Sequence, residues 1–101
     1  MNIGFFEVNE WEIPVIKRHF PRATIVSDPL LPENAKKYAH LEVVSTFIYS
    51  TLDASTMLQM PHLKCIATRS TGFDHIDVKH CARNNIVVSN VPRYGDRTVA
   101  E

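Results

Sequence analysis

Apolar residues fall along this chain in short runs rich in branched side chains, separated by amphipathic stretches, and the alternation predicts strands and helices in turn. Ile3, Phe5, Phe6 and Val8 surround Gly4 and predict a first strand over residues 2–8, buried on both faces. From Trp11 to Phe20 the positions Ile13, Ile16 and Phe20 are spaced as on one side of a helix. Lys17, Arg18 and His19 lie near its end, where positive charge suits the helix dipole. Pro14 is early enough in that helix for its missing N–H to cost little, and Pro21 closes it. Residues 23–26 predict a second strand broken by Ser27-Asp28-Pro29, and residues 32–39 a short helix with Glu33, Lys36 and Lys37 on its polar side.

The run from Val43 to Tyr49 predicts the third strand. Residues 53–60 then predict a helix capped by Asp53 and stopped by Pro61, with Leu58 and either Met57 or Met60 facing the sheet. Cys65-Ile66-Ala67-Thr68 is a fourth, buried strand that delivers the turn Arg69-Ser70-Thr71-Gly72. A helix from Val78 to Asn84, capped by Asp77, leads to a fifth buried run, Ile86-Val87-Val88. The fold expected is α/β, a flavodoxin-like, doubly wound, five-stranded parallel sheet with helices on both faces. Such folds bind ligands beyond the carboxyl ends of their strands, where the loops after Thr68 and Val88 open. Asp96 to Glu101 reads as the first turn of another helix, capped by Asp96, and a helix begun and left there implies a longer protein.

Composition narrows the function classes. The chain has 101 residues, 45% of them hydrophobic, enough for one domain with one core. Eleven basic residues balance eleven acidic ones, so no broad electrostatic footprint for nucleic acid or an anionic membrane is present. No apolar stretch approaches the roughly 20 residues needed to cross a bilayer. The start MNIGFFEVNE lacks a signal peptide's basic residues and cleavage region, so the expected location is cytoplasmic. Two cysteines without a C-x-x-C pair do not staple a fold. A zinc site at Cys81, His80 and His75 would lack a fourth ligand, which leaves Cys65 in a strand core and Cys81 on a buried helix face.

Chemistry concentrates in the last third of the chain. Gly72 after Ser70-Thr71 lets backbone N–H groups approach a small carboxylate, or else supplies a turn with positive φ. Tyr94, beyond Pro92, carries a hydroxyl that could reach the same pocket, and Tyr49 ends the third strand where it lines that pocket or simply packs. Asp74 and Asp77 read as a loop tie and a helix cap rather than an acid/base pair. His75 shows no partner that would orient it as a base, and the remaining histidines fall on helix ends or exposed faces. Arg69, Arg93 and Arg97 read as solvated surface side chains near the loops.

Taken together, ATRSTGFDHID followed by IVVSNVPRYGDRTVAE resembles the D-isomer-specific 2-hydroxyacid dehydrogenases, with FFEV and VVSTFIYSTLD collinear before it. The resemblance implies that residues 1–95 are the substrate-binding, or catalytic, domain and residues 96–101 the start of a linker helix into an NAD-binding Rossmann domain. It implies that backbone N–H groups at Thr71 and Gly72 hold the carboxylate of a 2-keto acid, that the Tyr94 hydroxyl enters the substrate site, and that Tyr49 lies against the substrate side chain. Asp96 and Thr98 are placed near the cofactor. The implied reaction is reduction of a 2-keto acid by NADH, pyruvate to D-lactate being the expected pair, in a homodimeric full-length protein. Its Arg, Glu and His match nothing up to residue 101.

A G-x-G-x-x-G loop cannot be assembled from Gly4, Gly72 and Gly95, so this chain alone is expected to be inactive. Other functions of the same layout fare worse. A receiver module needs an Asp ending the third strand and a Lys ending the fifth, where this chain has Tyr49-Ser50 and Ser89-Asn90. A flavodoxin needs a phosphate loop after Phe6-Glu7-Val8. A non-catalytic protein-binding module, as in the C-terminal-binding-protein corepressors that share the fold, stands as the alternative.

Overall fold

The apolar runs form strands shorter than the runs themselves. A computed structural model describes residues 1–69 and 75–90. The strands are β1 (Ile3–Phe5), β2 (Thr24–Ile25), β3 (Val43–Thr46), β4 (Cys65–Thr68) and β5 (Val87–Asn90), all parallel in the order β2-β1-β3-β4-β5. That is the order expected of a flavodoxin-like sheet. The first run leaves the ladder after Phe5 because Glu7 adopts a left-handed backbone, φ 59°. Phe6 still donates its N–H to Ser45 O at 2.8 Å and Val8 to Val26 O at 3.2 Å.

The helices are α1 (Ile13–His19), α2 (Ala54–Leu58) and α3 (Val78–Arg83), with 3-10 turns at Glu10–Glu12 and Ala35–Tyr38. The single helix expected from Trp11 starts late because Pro14 has no N–H to donate toward Glu10, leaving a 3-10 turn ahead of it. Asp53 and Asp77 cap as expected, accepting from Thr56 N at 2.9 Å and His80 N at 3.0 Å. Asn85, also left-handed at φ 59°, ends α3, and Ile86 N bonds back to Cys81 O at 2.9 Å. The residues before the second 3-10 turn are folded by Asn34, which accepts from Leu31 N and donates to Pro29 O.

Successive strand residues point to opposite faces. Phe5 meets Phe20 at the end of α1, with ring centroids 5.5 Å apart, while Phe6 meets Tyr38 edge-on at 4.9 Å, so both faces of β1 are covered by different elements. The main core lies on the Phe6 side, where Val44 and Ile66 pack with Leu41, Met57, Met60 and Cys81. Gly4 permits the close approach of Leu41, since a Cβ there would sit 2.5 Å from Leu41 Cδ1.

Two burial expectations are corrected. Leu58 is 73% exposed, and α2 turns Thr56 and Met57 inward instead, with Met60 following. A five-residue helix has one turn facing the sheet and no room for a second apolar position on it. Val87 is 62% exposed because β5 is an edge strand, and its register partners Cys65 and Val43 are only partly buried.

Candidate functional site

In this sheet the strand order reverses at β1, which has β2 on one side and β3 on the other. Chains of this topology leave a crevice beyond the strand tips at that point. Here the crevice is built around Glu7. The left-handed turn at Glu7 sends its carboxylate toward the tip of β3, where Oε1 accepts from Tyr49 N at 2.9 Å. Oε2 accepts from Phe47 N at 2.9 Å, Ser50 N at 3.0 Å and Ser50 Oγ at 2.6 Å. The buried Ser50 hydroxyl in turn accepts from Leu30 N at 2.9 Å, so the β3 tip is tied to the segment after β2 as well.

The tip of β4 joins the same knot. Arg69 donates its N–H to Thr46 O at 2.8 Å, and its guanidinium reaches past β3 to the carbonyls of Phe6 and of Glu7, the latter at 3.2 Å. Arg69 is therefore a structural tie across the strand tips and not the solvated side chain expected from the sequence. Glu7 and Arg69 are the residues sequence reading missed. The available signal was a charged residue interrupting an apolar run at Phe6-Glu7-Val8, a place where an unpaired charge is rarely tolerated.

Beside this knot a cleft of about 490 Å³ opens between the β1, β2 and β3 tips, lined by Val8, Pro29, Phe47, Tyr49 and Glu7 itself. Tyr49 lines the cleft at 70% exposure, with its backbone N–H held by Glu7. Of the site residues expected from the sequence, Tyr49 alone is described. Thr71, Gly72, Tyr94, Asp96 and Thr98 lie outside the described residues, as do Asp74, Arg93 and Arg97.

A second polar group lies near the tips of β3 and β4. Thr68 Oγ1 is 3.3 Å from His75 Nε2, so His75 does have an orienting neighbour. The His75 carbonyl accepts from Leu52 N at 2.8 Å and Leu52 bridges Ile76 in parallel, which returns the chain to the sheet edge. Next to Thr68 in register, Thr46 is fully buried and its hydroxyl has no hydrogen-bond partner among the described residues. An orphaned hydroxyl costs roughly 1–3 kcal/mol. Thr46→Val, which keeps the shape and removes the oxygen, is expected to stabilise the domain by about 1 kcal/mol in urea unfolding. A loss of stability would mean that the hydroxyl bonds an internal water.

Neither cysteine is poised for chemistry. Burial pushes the Cys81 thiol up, helped by the negative charge of Asp77, and burial also raises Cys65, so both stay protonated at neutral pH. Cys81 Sγ rests 3.5 Å from Met57 Sδ in the core. Among the described residues no group of three His, Cys, Asp or Glu side chains is placed to hold a metal. No helix among them is long and apolar enough to cross a membrane.

The sheet order and the crevice beyond its strand tips define an α/β protein whose ligand edge lies at the carboxyl ends of parallel strands. The chain belongs to the D-isomer specific 2-hydroxyacid dehydrogenase family, matching its catalytic domain over residues 3–101. It is 32% identical over 116 aligned positions to a D-2-hydroxyacid dehydrogenase (NAD(+)) of Clostridioides difficile, covering 100% of this chain and 33% of that protein. It is 31% identical to a D-lactate dehydrogenase of Staphylococcus aureus, again over 100% of this chain and 28% of the relative. Among solved structures, a D-lactate dehydrogenase from Aquifex aeolicus complexed with NAD and lactic acid superposes with a TM-score of 0.79 at 32% identity. That match covers 98% of this chain and 30% of the other. The apo-structure of D-lactate dehydrogenase from Escherichia coli shares the fold at a TM-score of 0.81 and 20% identity, over 99% of this chain and 34% of that one. The chain thus spans about a third of the length of the relatives it matches.

One of these relatives is named for NAD(+), and another was solved in complex with NAD. The described residues do not form a dinucleotide site. No glycine lies between β1 and β2, and the amides of Phe47, Tyr49 and Ser50 at the β3 tip are already taken by Glu7.

Proposed function

We propose that this chain is the substrate-binding portion of an NAD-dependent oxidoreductase that interconverts a 2-keto acid and a D-2-hydroxy acid, with pyruvate and D-lactate as the pair. The observation that carries the proposal is the family match running from β1 through residue 101. Residues 1–95 form the substrate domain, and residues 96–101 begin a linker helix into a domain that supplies most of the NAD contacts. The chain's own work is to bind and orient. Backbone N–H groups at Thr71 and Gly72 hold the substrate carboxylate, the Tyr94 hydroxyl bonds the substrate, and the Tyr49 ring bounds its side chain. Asp96 and Thr98 lie toward the cofactor. The hydride step is assigned to the further domain, where the Arg, Glu and His implied by the family resemblance would lie. These 101 residues alone are accordingly inactive, and the complete protein works as a homodimer in the cytoplasm.

The cleft supports this reading, because an exposed aromatic ring on a fixed backbone suits selection among small side chains. The test is an assay of the full-length protein with NADH against pyruvate and larger 2-keto acids. Tyr94→Phe is expected to lower kcat/KM about tenfold, the loss of one hydrogen bond to a charged or polarised group. NADH left unoxidised with every keto acid would end the proposal, and an unchanged kcat/KM in Tyr94→Phe would remove Tyr94 from the site.

A further inference from the structure

The geometry points to Glu7 as a positioning residue for substrate selection: its carboxylate holds the β3 tip, and with it the Tyr49 ring, in the shape that reads the substrate side chain. This rests on the function proposed above.

The case begins with what holds residues 47–50 in place. Beyond Thr46 the chain leaves the ladder and makes a tight turn at Ile48 and Tyr49. Packing does little at the apex, since Ile48 and Tyr49 are among the exposed large hydrophobic residues. Apart from the bond from Leu30 N to the Ser50 hydroxyl at its far end, the tip is held by Glu7, to which three backbone N–H groups and that hydroxyl all donate. These are charge-assisted bonds, roughly twice as strong as neutral ones. A carboxylate suits them because both of its oxygens are acceptors only. The arrangement is a concave nest of amides of the kind that takes an anionic ligand, filled here by the chain itself.

The clamp has its own support. Glu7 is held in a left-handed backbone that side chains other than glycine adopt at a cost, and Arg69 from β4 fixes the carbonyls of Phe6 and Glu7. Glu7 thus transmits the position of the rigid sheet to a tip that has no ladder of its own, and Tyr49 bounds the cleft from that tip. A loosened tip would let the ring move, so that acids with larger side chains are admitted more easily relative to pyruvate.

The discriminating variant is Glu7→Gln in the full-length protein. Glutamine has one acceptor oxygen, and whichever way its amide turns, an N–H₂ group confronts at least one of the three backbone donors. Hydrogen exchange at the Phe47, Tyr49 and Ser50 amides is expected to speed up about tenfold while the Val44 amide inside β3 stays as it was. The ratio of kcat/KM for 4-methyl-2-oxopentanoate to that for pyruvate is expected to rise about fivefold, through KM more than kcat. Ser50→Ala removes one of the four bonds to Glu7, together with the acceptor of the Leu30 N–H, and is expected to shift both tip readouts in the same direction while the three backbone bonds to Glu7 remain. It carries the test if Glu7→Gln fails to fold.

Exchange unchanged at the tip overturns the inference. So does exchange that speeds up equally throughout β3, or kcat/KM that falls by one factor for both acids, since either is what a purely structural loss would give. A wild-type protein that reduces no keto acid ends the proposed function and with it the role in selection. Tip exchange in Glu7→Gln would then report on the clamp alone.

Discussion

Truncating Phe6 to alanine is expected to destabilise the domain by about 3–5 kcal/mol, the range for removing a fully buried aromatic side chain. Phe6 is 0% exposed and packs edge-on against Tyr38. It also stands directly before Glu7, so the cavity would open beneath the β1 tip. Phe6 N bonds Ser45 O and its carbonyl accepts from Arg69, which keeps the backbone from moving in to close the space. Domains of this size have a net stability of about 5–15 kcal/mol, so the variant should unfold at markedly lower urea with an unchanged m-value. Phe20→Ala is the control. That ring touches Phe5 but is substantially exposed, and its loss should cost about 1 kcal/mol. Equal losses in the two variants would show that the Phe6 side of the sheet does not carry the main core.

Arg69→Met should cost about 2–3 kcal/mol, because it removes a charged donor from the Phe6 and Glu7 carbonyls while keeping most of the apolar stem. Lysine at this position should recover only part of the loss. Both carbonyls are reached by one guanidinium nitrogen, Nη2, and a lysine ammonium sits one bond short of that reach. Two and three residues further along the sequence are Thr71 and Gly72, proposed to hold the substrate carboxylate. The full-length Arg69→Met protein should therefore show KM for the keto acid raised more than kcat is lowered, checked by steady-state assay. A stability change under about 0.5 kcal/mol, as for an ordinary surface substitution, would refute the tie across the strand tips.

The order of elements was legible from the chain because it depends on periodicity. Cys65 to Thr68 declares a buried strand through branched apolar side chains, as does Val43 to Tyr49 for its first four residues, β3 ending at Thr46 with Ile48 and Tyr49 exposed. Asp53 and Asp77 declare the starts of α2 and α3 through the caps they form. Boundaries were less legible. The first run was expected to stay in the ladder to Val8 but leaves it after Phe5, because the turn at Glu7 answers a need at the β3 tip forty residues away. Leu58 and Val87 carry apolar side chains like their neighbours, and only the short length of α2 and the edge position of β5 leave them in solvent.

What the sequence determined by itself was the alternating α/β plan, the helix caps and, through the motifs around Thr71 and Tyr94, the family to which the chain belongs. These are local or alignable properties, set by neighbours a few positions apart. The tertiary structure decided that Glu7 and Arg69 are internal ties and not surface charges, and that Tyr49 is presented on a cleft. Those outcomes depend on which strands lie side by side, and the partners of a hydrogen bond spanning 40 or 63 residues leave no period in the chain to betray them.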